Sequence, residues 1–451
     1  MRFPDNFIWG AAAASYQIEG AAYEDGKGLS VWDMMCRQPG KIWERNTGNV
    51  ACDHYHRYEE DVGLMAEIGL KAYRFSISWP RVLPEGIGKI NPKGLDFYDK
   101  LVDALLAKNI QPWATLFHWD YPYELFCKGG WLNRDSADWF AEYAQVIAER
   151  LGDRVQNWMT QNEPQCYIGA GHYAGDHAPG LKMGVAEIVR MIHHSLLAHG
   201  KAVQVIRSSA KATPRIGAAP VGIVRIPASS DPADLAAAKK AMFTVGKDIT
   251  WNNSWYTDPM ILGSYPEEAM PDFEKFLTTL RPGDMETIKQ PLDFFGVNVY
   301  SGDTVRAAEN EKGWESVKDG DGPALTTMSW RVTPDALYWG PKCFYERYNL
   351  PVVITENGMA NTDWVHSDGK VHDPQRIDFL QRYLRSLGKA IEDGVPVEGY
   401  LQWSIMDNFE WAFGYKQRFG LIYVDYNTGE RILKDSAYWY KQVIAENGAN
   451  L

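Results

Sequence analysis

Val352-Val-Ile-Thr-Glu356-Asn-Gly358 reads as a short strand that stops on a carboxylate: four apolar or β-branched residues, a Glu, then a turn dipeptide. Gln156-Asn-Trp-Met-Thr-Gln-Asn-Glu163-Pro164 repeats the arrangement, with Pro164 keeping Glu163 out of helical conformation. These two runs occupy 352–356 and 156–162, and working outward from them six more of the same kind occur at 7–14, 72–78, 111–118, 215–221, 294–300 and 397–404. Longer amphipathic or Ala-rich stretches, at 56–67, 95–108, 135–151, 185–206 and 374–393, separate several of them and predict helices. Short β-type runs alternating with helical ones are the mark of repeated βα units. Eight such strands close as a (β/α)8 barrel whose ligand-binding face lies where the strands end. The competing architecture, an open doubly wound sheet, lacks its usual G-x-G-x-x-G turn after an early strand. The expected fold is therefore α/β: a single (β/α)8 TIM barrel with long βα loops, one domain over residues 1–451. A minimal barrel needs about 250 residues, which leaves the remainder for those loops. Residues 301–330 are read as one of them, with the Asp319-Gly-Asp-Gly322 run a solvated turn that lacks the order of a calcium loop.

Composition narrows the partners. The chain is 45% hydrophobic and 23% charged, within the globular range. Its 46 Lys and Arg against 58 Asp and Glu give a formal charge of -12, which offers neither nucleic acid nor an anionic membrane surface an electrostatic footprint. No apolar run reaches the roughly 18 residues of a membrane span. Cys36, Cys52, Cys127, Cys166 and Cys343 are odd in number and never form C-x-x-C, as expected of reduced thiols in the cytoplasm. The N-terminal Ala run could mimic an export signal, but the stretch reads better as the first strand. A homo-oligomer is left open.

The polar residues at the strand ends form a coherent set: Gln17, Arg74, His118, Asn162 with Glu163, Asn298 with Tyr300, Glu356, and Trp403 leading to Glu410 and Trp411. Hydrogen-bonding groups beside flat aromatics suit a sugar, which offers hydroxyls on its rim and C–H bonds on its face. Each carboxylate also has a purely structural account, as a strand exit or a turn signal. Two Glu residues, each after an apolar run, make that account weak for the pair. His193, His194 and His199 lack metal-ligand spacing on a helix and are read as surface or packing residues. Neither a metal nor an organic cofactor is implied.

Further segments accompany the two Glu motifs: Phe7-Ile-Trp-Gly10, Ala14-Ser-Tyr-Gln-Ile-Glu-Gly20, Tyr73-Arg-Phe-Ser-Ile-Ser-Trp-Pro-Arg81, His118-Trp-Asp120, His177-Ala-Pro-Gly180, Gly296-Val-Asn-Val-Tyr300, Asp407-Asn-Phe-Glu-Trp411 and Arg418-Phe-Gly-Leu421. Together, and in this order, they resemble the family 1 glycoside hydrolases, the β-glucosidase family, over nearly the whole chain. The resemblance implies a retaining β-glycosidase acting on a small-molecule β-glycoside, with Glu163 as acid/base and Glu356 as nucleophile, about 5–5.5 Å apart. It implies that Arg74, Asn298 and Tyr300 support the nucleophile. Gln17, His118, Asn162, Glu410 and Trp411 would fix the sugar hydroxyls, Trp403 would lie under the ring, and Trp119 and Phe419 would form further wall. Trp330 resembles the stacking residue on the leaving-group side. Intact Glu410-Trp411 argues against a 6-phosphorylated substrate, because a carboxylate there repels phosphate.

The chain departs from the family pattern at Gln161, Gln165 and Ser329, which bears on packing behind the carboxylates and on leaving-group preference. A β-D-glucoside is the first expected substrate, with β-D-galactosides and β-D-fucosides also accepted, and three other readings remain: a β-glycosidase whose main substrate is not a glucoside, a sugar binder and a metal-dependent hydrolase. A non-catalytic sugar-binding barrel has no use for paired Glu163 and Glu356, and a metal-dependent hydrolase would lose activity in chelator.

Overall fold

The structure, a computed structural model, describes residues 3–318 and 320–451. Eight parallel strands form its centre: β1 (Ile8–Ala13), β2 (Ala72–Ser76), β3 (Gln111–Phe117), β4 (Asn157–Asn162), β5 (Arg215–Ala219), β6 (Phe295–Asn298), β7 (Val352–Asn357) and β8 (Val397–Trp403). Seven of the eight runs read from the sequence hold one of them, and β7 extends one residue past its run, to Asn357. They pair in the order β5-β4-β3-β2-β1-β8-β7-β6. The seam between β5 and β6 is drawn together by Asp293 N donating to Ile216 O (2.8 Å), Asn298 N to Pro220 O (3.0 Å) and Gly222 N to Asn298 O (2.7 Å). The sheet thus returns on itself as a (β/α)8 barrel.

Alternation along each strand sends one side chain inward and the next outward. Ala72, Trp113, Met159, Ala219, Val353 and Leu401 from six strands, with Phe294 just ahead of β6 and Ile8 of β1 against them, fill one end of the barrel. Trp113 and Phe294 meet there with ring centroids 5.4 Å apart. The outward side chains join the helices in a much larger shell. In α6 (Pro374–Glu392) the buried Phe379, Leu380, Tyr383, Leu384 and Leu387 recur at helical spacing, so one stripe packs inward, and Pro374 starts the helix where a missing N–H costs nothing. The other principal helices are α1 (His54–Ile68), α2 (Pro92–Ala107), α3 (Ser136–Leu151), α4 (Val185–Ser209), α5 (Ala336–Tyr348) and α7 (Asp435–Ala445). At the top of β7, Gly358 passes so close to β8 that a Cβ there would lie 1.8 Å from the Trp403 carbonyl oxygen, so only glycine fits.

One sequence expectation changes in detail. Residues 301–330 are not loop throughout: Gly302–Ala307 pairs in parallel with Val224–Pro227 and antiparallel with Trp314–Ser316, making a small three-stranded sheet. The polar, Gly-rich composition around those short strands hides their alternation. The turn expected at the Asp-Gly run includes Asp319, which lies outside the described residues. Of the two readings of His193, His194 and His199, packing holds: all three are buried on α4. His193 lies between Tyr265 OH and Asp284 Oδ2 (2.9 Å each), and His199 Nδ1 is 2.7 Å from Thr160 Oγ1. Among the described residues no helix is long and apolar enough to cross a membrane, and no cluster of three or more His, Cys, Asp or Glu could hold a metal ion.

Candidate active site

A cavity of about 530 Å³ opens over the carboxyl ends of the strands. Glu163, Glu356, His118, Trp119, Asn298, Tyr300, Trp330, Trp403, Glu410, Trp411 and Phe419 all line it. Gln17, Arg74 and Asn162 do not line it but stand immediately behind, each bonded to a lining side chain. The residues singled out in the sequence therefore gather at one mouth.

Arg74, fully buried on β2, organises the floor. Its Nη1 donates to Glu356 Oε1 at 2.5 Å, its Nη2 to Asn162 Oδ1 at 2.6 Å, and its Nε to Thr115 Oγ1 at 3.0 Å. A buried guanidinium bonded on three sides is fixed in position, and so is the carboxylate it holds. Tyr300 OH donates to Glu356 Oε2 at 2.6 Å, while Tyr383 OH grips the Tyr300 carbonyl at 3.0 Å. Asn298 Nδ2 donates to Glu163 Oε1 and to Asn162 Oδ1, both at 2.9 Å, with its own Oδ1 held by Thr355 Oγ1 at 2.6 Å. Asn162 Nδ2 then faces His118 Nε2 at 3.0 Å. One connected network runs from Glu356 through Arg74, Asn162 and Asn298 to Glu163.

The two carboxyls differ in environment. Burial and, second, the charge of Glu356 push Glu163 up to about 7. Burial raises Glu356 too, but Arg74 and Tyr300 pull it back, and the ion pair at 2.5 Å marks it as the group that stays ionised. Tyr300 is held well above the ordinary phenol value by burial and by Glu356, so it remains a donor. Burial and then Arg74 drive His118 well below the imidazole value, leaving it neutral. Glu410 is raised to about 8 by burial and then by Glu356, against Gln17, whose Nε2 reaches Glu410 Oε2 at 3.2 Å and Asn408 Oδ1 at 2.9 Å. Gln17 Oε1 is buried without a partner, an acceptor free for a hydroxyl.

Aromatic rings complete the wall. His118 stacks on Trp403 (centroids 5.7 Å, planes 21° apart), Trp119 packs on Trp411 at 5.2 Å, and Tyr300, Trp330 and Phe419 form a second group with centroids 5.0–6.2 Å apart. Trp119, Glu163, Trp411 and Ser329 all take left-handed backbone (φ 82, 47, 50 and 61°), which costs a non-glycine residue about 1–3 kcal/mol. Three of the four, Trp119, Glu163 and Trp411, line the cavity, so side chains are presented there at the expense of local comfort. The segment 404–421, which carries Glu410, Trp411 and Phe419, is pinned from below by a buried charge cluster. Lys434 Nζ bridges Asp363 (2.6 Å) and Asp407 (2.7 Å), Arg376 holds Asp363 (2.7 Å) and Asp373, and Arg418 reaches Asp407 (2.7 Å).

Several lining residues carry no sequence signal. Val221, Ile223 and Val224 follow β5, Cys166 lies one turn beyond Glu163, and Trp251 belongs to a long excursion between β5 and β6. None sits in a motif, and only their place around the cavity reveals them. Gln165 is buried, and its amide joins Val221 N (3.2 Å) to the Asn252 carbonyl (3.3 Å).

The model of the Glycosyl hydrolase family 1 matches residues 1–449. A 1,4-beta-D-glucan glucohydrolase of Thermotoga neapolitana is 47% identical over 449 residues, covering 99% of each chain. Beta-glucosidase A of Thermotoga maritima is 45% identical over 449 residues, 99% of this chain and 98% of that one. The solved structure of the beta-glucosidase from Thermotoga maritima in complex with deoxynojirimycin superposes with a TM-score of 0.90 at 45% identity, covering 99% of each chain.

Proposed function

The chain belongs to glycosyl hydrolase family 1, and from that premise we propose that it is a β-glucosidase in which Glu163 and Glu356 carry out a retaining double displacement. It hydrolyses terminal non-reducing β-D-glucosyl residues of oligosaccharides such as cellobiose, or of aryl and alkyl β-glucosides, and extends to β-D-galactosides and β-D-fucosides. The observation that carries this reading is the asymmetry of the two carboxyls: Glu356 is ion-paired to Arg74 at 2.5 Å, while Glu163 has no cation bonded to it among the described residues and is raised to about 7.

In the first step Glu356 Oε attacks the anomeric carbon, the bond to the leaving oxygen breaks, and Glu163 gives that oxygen its proton. Esterification removes the Glu356 charge, so Glu163 loses one of the two causes that raised it and becomes a base. It then takes a proton from water as water displaces Glu356, restoring both groups. Two inversions give net retention. Asn162, tied to Arg74, faces the 2-hydroxyl, where a contact that tightens as the oxocarbenium-like state forms lowers the barrier. Gln17, His118, Glu410 and Trp411 fix the other hydroxyls, with Trp403 under the ring and Trp119 and Phe419 beside it, while Trp330 bounds the leaving-group side. The same reading treats the chain as one catalytic domain and places it in the cytoplasm.

Proton NMR of an aryl β-D-glucoside incubated with the protein tests the proposal. β-Glucose must appear first; α-glucose first removes Glu356 as nucleophile, and no glucose in either form moves the assignment to a binder or to another glycoside. Activity in chelator separates this chemistry from a metal-dependent one.

A further inference from the structure

The backbone that leaves β6 carries Tyr300 and is pegged residue by residue. Asn298 O accepts from Gly222 N (2.7 Å), Val299 N donates to Glu356 O (2.9 Å), and Val299 O accepts from Asn357 Nδ2 (2.7 Å). Further on, Gly302 N donates to Thr333 Oγ1 (2.8 Å). Between these pegs the Tyr300 carbonyl is held from outside the barrel, by Tyr383 of α6. Thr333 N lies 2.8 Å from the same Tyr383 oxygen. A backbone N–H can only donate, so the Tyr383 oxygen accepts there and its single proton is committed to Tyr300 O, 3.0 Å away. Burial pushes Tyr383 up to about 12, so that proton is present from acid to mildly alkaline pH. The ring is fixed as well: it is buried and stacks on Phe379, with centroids 4.0 Å and planes 20° apart.

Tyr300 commits its own hydroxyl to Glu356 Oε2 at 2.6 Å. Its ring meets Trp330 and Phe419 with centroids 5.0 and 6.2 Å away. Apolar contacts of that kind are non-directional, whereas an offset of about half an ångström takes a bond of 2.6 Å out of its strong range. The reach of the phenol therefore depends on where the Tyr300 backbone is fixed. We propose that Tyr383 is a positioning residue for hydrolysis: clamped between Thr333 N and Tyr300 O, its hydroxyl sets the reach of the Tyr300 phenol to the nucleophile. The inference rests on the β-glucosidase reading above. Glu356 is also faced by Arg74 from β2, by Glu163 and Cys166 from the exit of β4, and by Glu410 from the segment after β8. Tyr383 is hydrogen-bonded to Thr333 and Tyr300 and to none of these. Its influence on Glu356 runs through Tyr300, and loosening that contact weakens a bond made to the ionised carboxylate, which raises the pH at which Glu356 ionises.

The test is the pH profile of kcat/KM for a dinitrophenyl β-D-glucoside, which needs little help from an acid, so that the acidic limb reports the ionisation of Glu356. The unaltered protein is compared with Y383F, Y300F, Y300F/Y383F and S386A, with urea unfolding to establish that each variant folds. Ser386 lies one turn along α6 and donates to Asp335 Oδ1 at 3.3 Å, so its loss perturbs the same helix without reaching the site. A hydrogen bond to a charged group moves a pKa by about 1–2 units. Y300F therefore raises the acidic limb by about that much, and Y383F, which weakens the bond without removing it, raises it by at least about half a unit. With Tyr300 already Phe, adding Y383F moves the limb no further, and S386A leaves it in place. An unmoved limb in folded Y383F, an equal shift in S386A, or a Y383F shift that persists beside Y300F overturns the inference. So does an unmoved limb in Y300F, which removes the premise, and so does a Y383F protein that cannot fold, which makes the hydroxyl part of the framework and not of the site. Failure of the unaltered protein to hydrolyse any aryl β-glucoside overturns the underlying β-glucosidase assignment instead.

Discussion

Removing the negative charge of Glu356 must lower the pKa of Glu163. With the carboxyls about 5.5 Å apart and an effective dielectric constant of about 20, two unit charges repel by about 3 kcal/mol, or roughly two pK units. Glu163 stands at about 7, raised from 4.5 by burial first and by Glu356 second. The Coulomb figure is therefore an upper bound, and a fall of about 1–2 units is expected, with burial holding Glu163 above an ordinary carboxyl. The assay is a carbon-13 NMR titration of protein labelled at the Glu side-chain carboxyl, with Glu163→Gln identifying the resonance. One titration is run on the free protein and one after Glu356 has been esterified by a 2-deoxy-2-fluoro-β-glucosyl donor. A parallel measurement on Glu356→Gln removes the charge without placing a sugar in the site. If Glu163 titrates at the same pH in all three states, burial alone sets its protonation, and the switch from acid to base between the two steps loses its physical cause.

Three further outcomes are expected. Glu163→Gln lowers kcat/KM about 10²–10⁴-fold for glucosides with poor leaving groups, but far less for a dinitrophenyl glucoside, and added azide yields β-glucosyl azide; failure of azide to rescue removes Glu163 as the base of the second step. Arg74→Met leaves Glu356 buried without its cation, so urea unfolding shows a loss of about 3–5 kcal/mol and kcat drops at least about 10²-fold; a variant of normal stability and activity would show that the ion pair is dispensable. Glu410 is raised to about 8 in the folded chain, so the stability it contributes in its protonated form is complete below about 4.5 and is lost as pH rises toward 8. Glu410→Gln should therefore unfold at higher denaturant than the unaltered protein by a margin that grows over that window to at most about 3–5 kcal/mol, while hydrolysis is lost; a margin independent of pH contradicts the assignment.

The barrel and the inner half of its mouth were legible because both depend on local pattern. A strand buried on both faces must be a short apolar run, and a polar residue ending such a run is a candidate for the cavity or for the network beneath it; that picks out His118, Asn162, Glu163, Asn298 and Glu356. Arg74 is visible for a related reason, as a charge inside an otherwise apolar strand. Of the outer half only Trp330 was legible. Val221, Ile223 and Met328 look like any core residue, and Trp251 like any surface one, because their role comes from where two excursions meet in space. The short strands within 301–330 escaped notice for the same reason. Gly302–Ala307 finds its partner in Val224–Pro227, far away in the chain, and neither segment alone buries a face. For His193, His194 and His199 the sequence left surface and packing both open, because what decides it is partners such as Asp284 and Thr160 that arrive from distant segments.

The charge cluster beneath the segment that carries Glu410 has a thermal consequence. Asp363, Asp373 and Asp407 set against Arg376, Lys434 and Arg418 form a nominally neutral group with most of its side chains sealed from water. The main cost of such a group is the hydration its ions give up, and that cost shrinks on warming, because ordered water around charges carries an unfavourable entropy. Apolar burial elsewhere in the barrel gains little per unit area over the same range. Heating therefore shifts the balance of forces toward the anchor of segment 404–421, so that part of the molecule should lose its grip later than the helices that surround it.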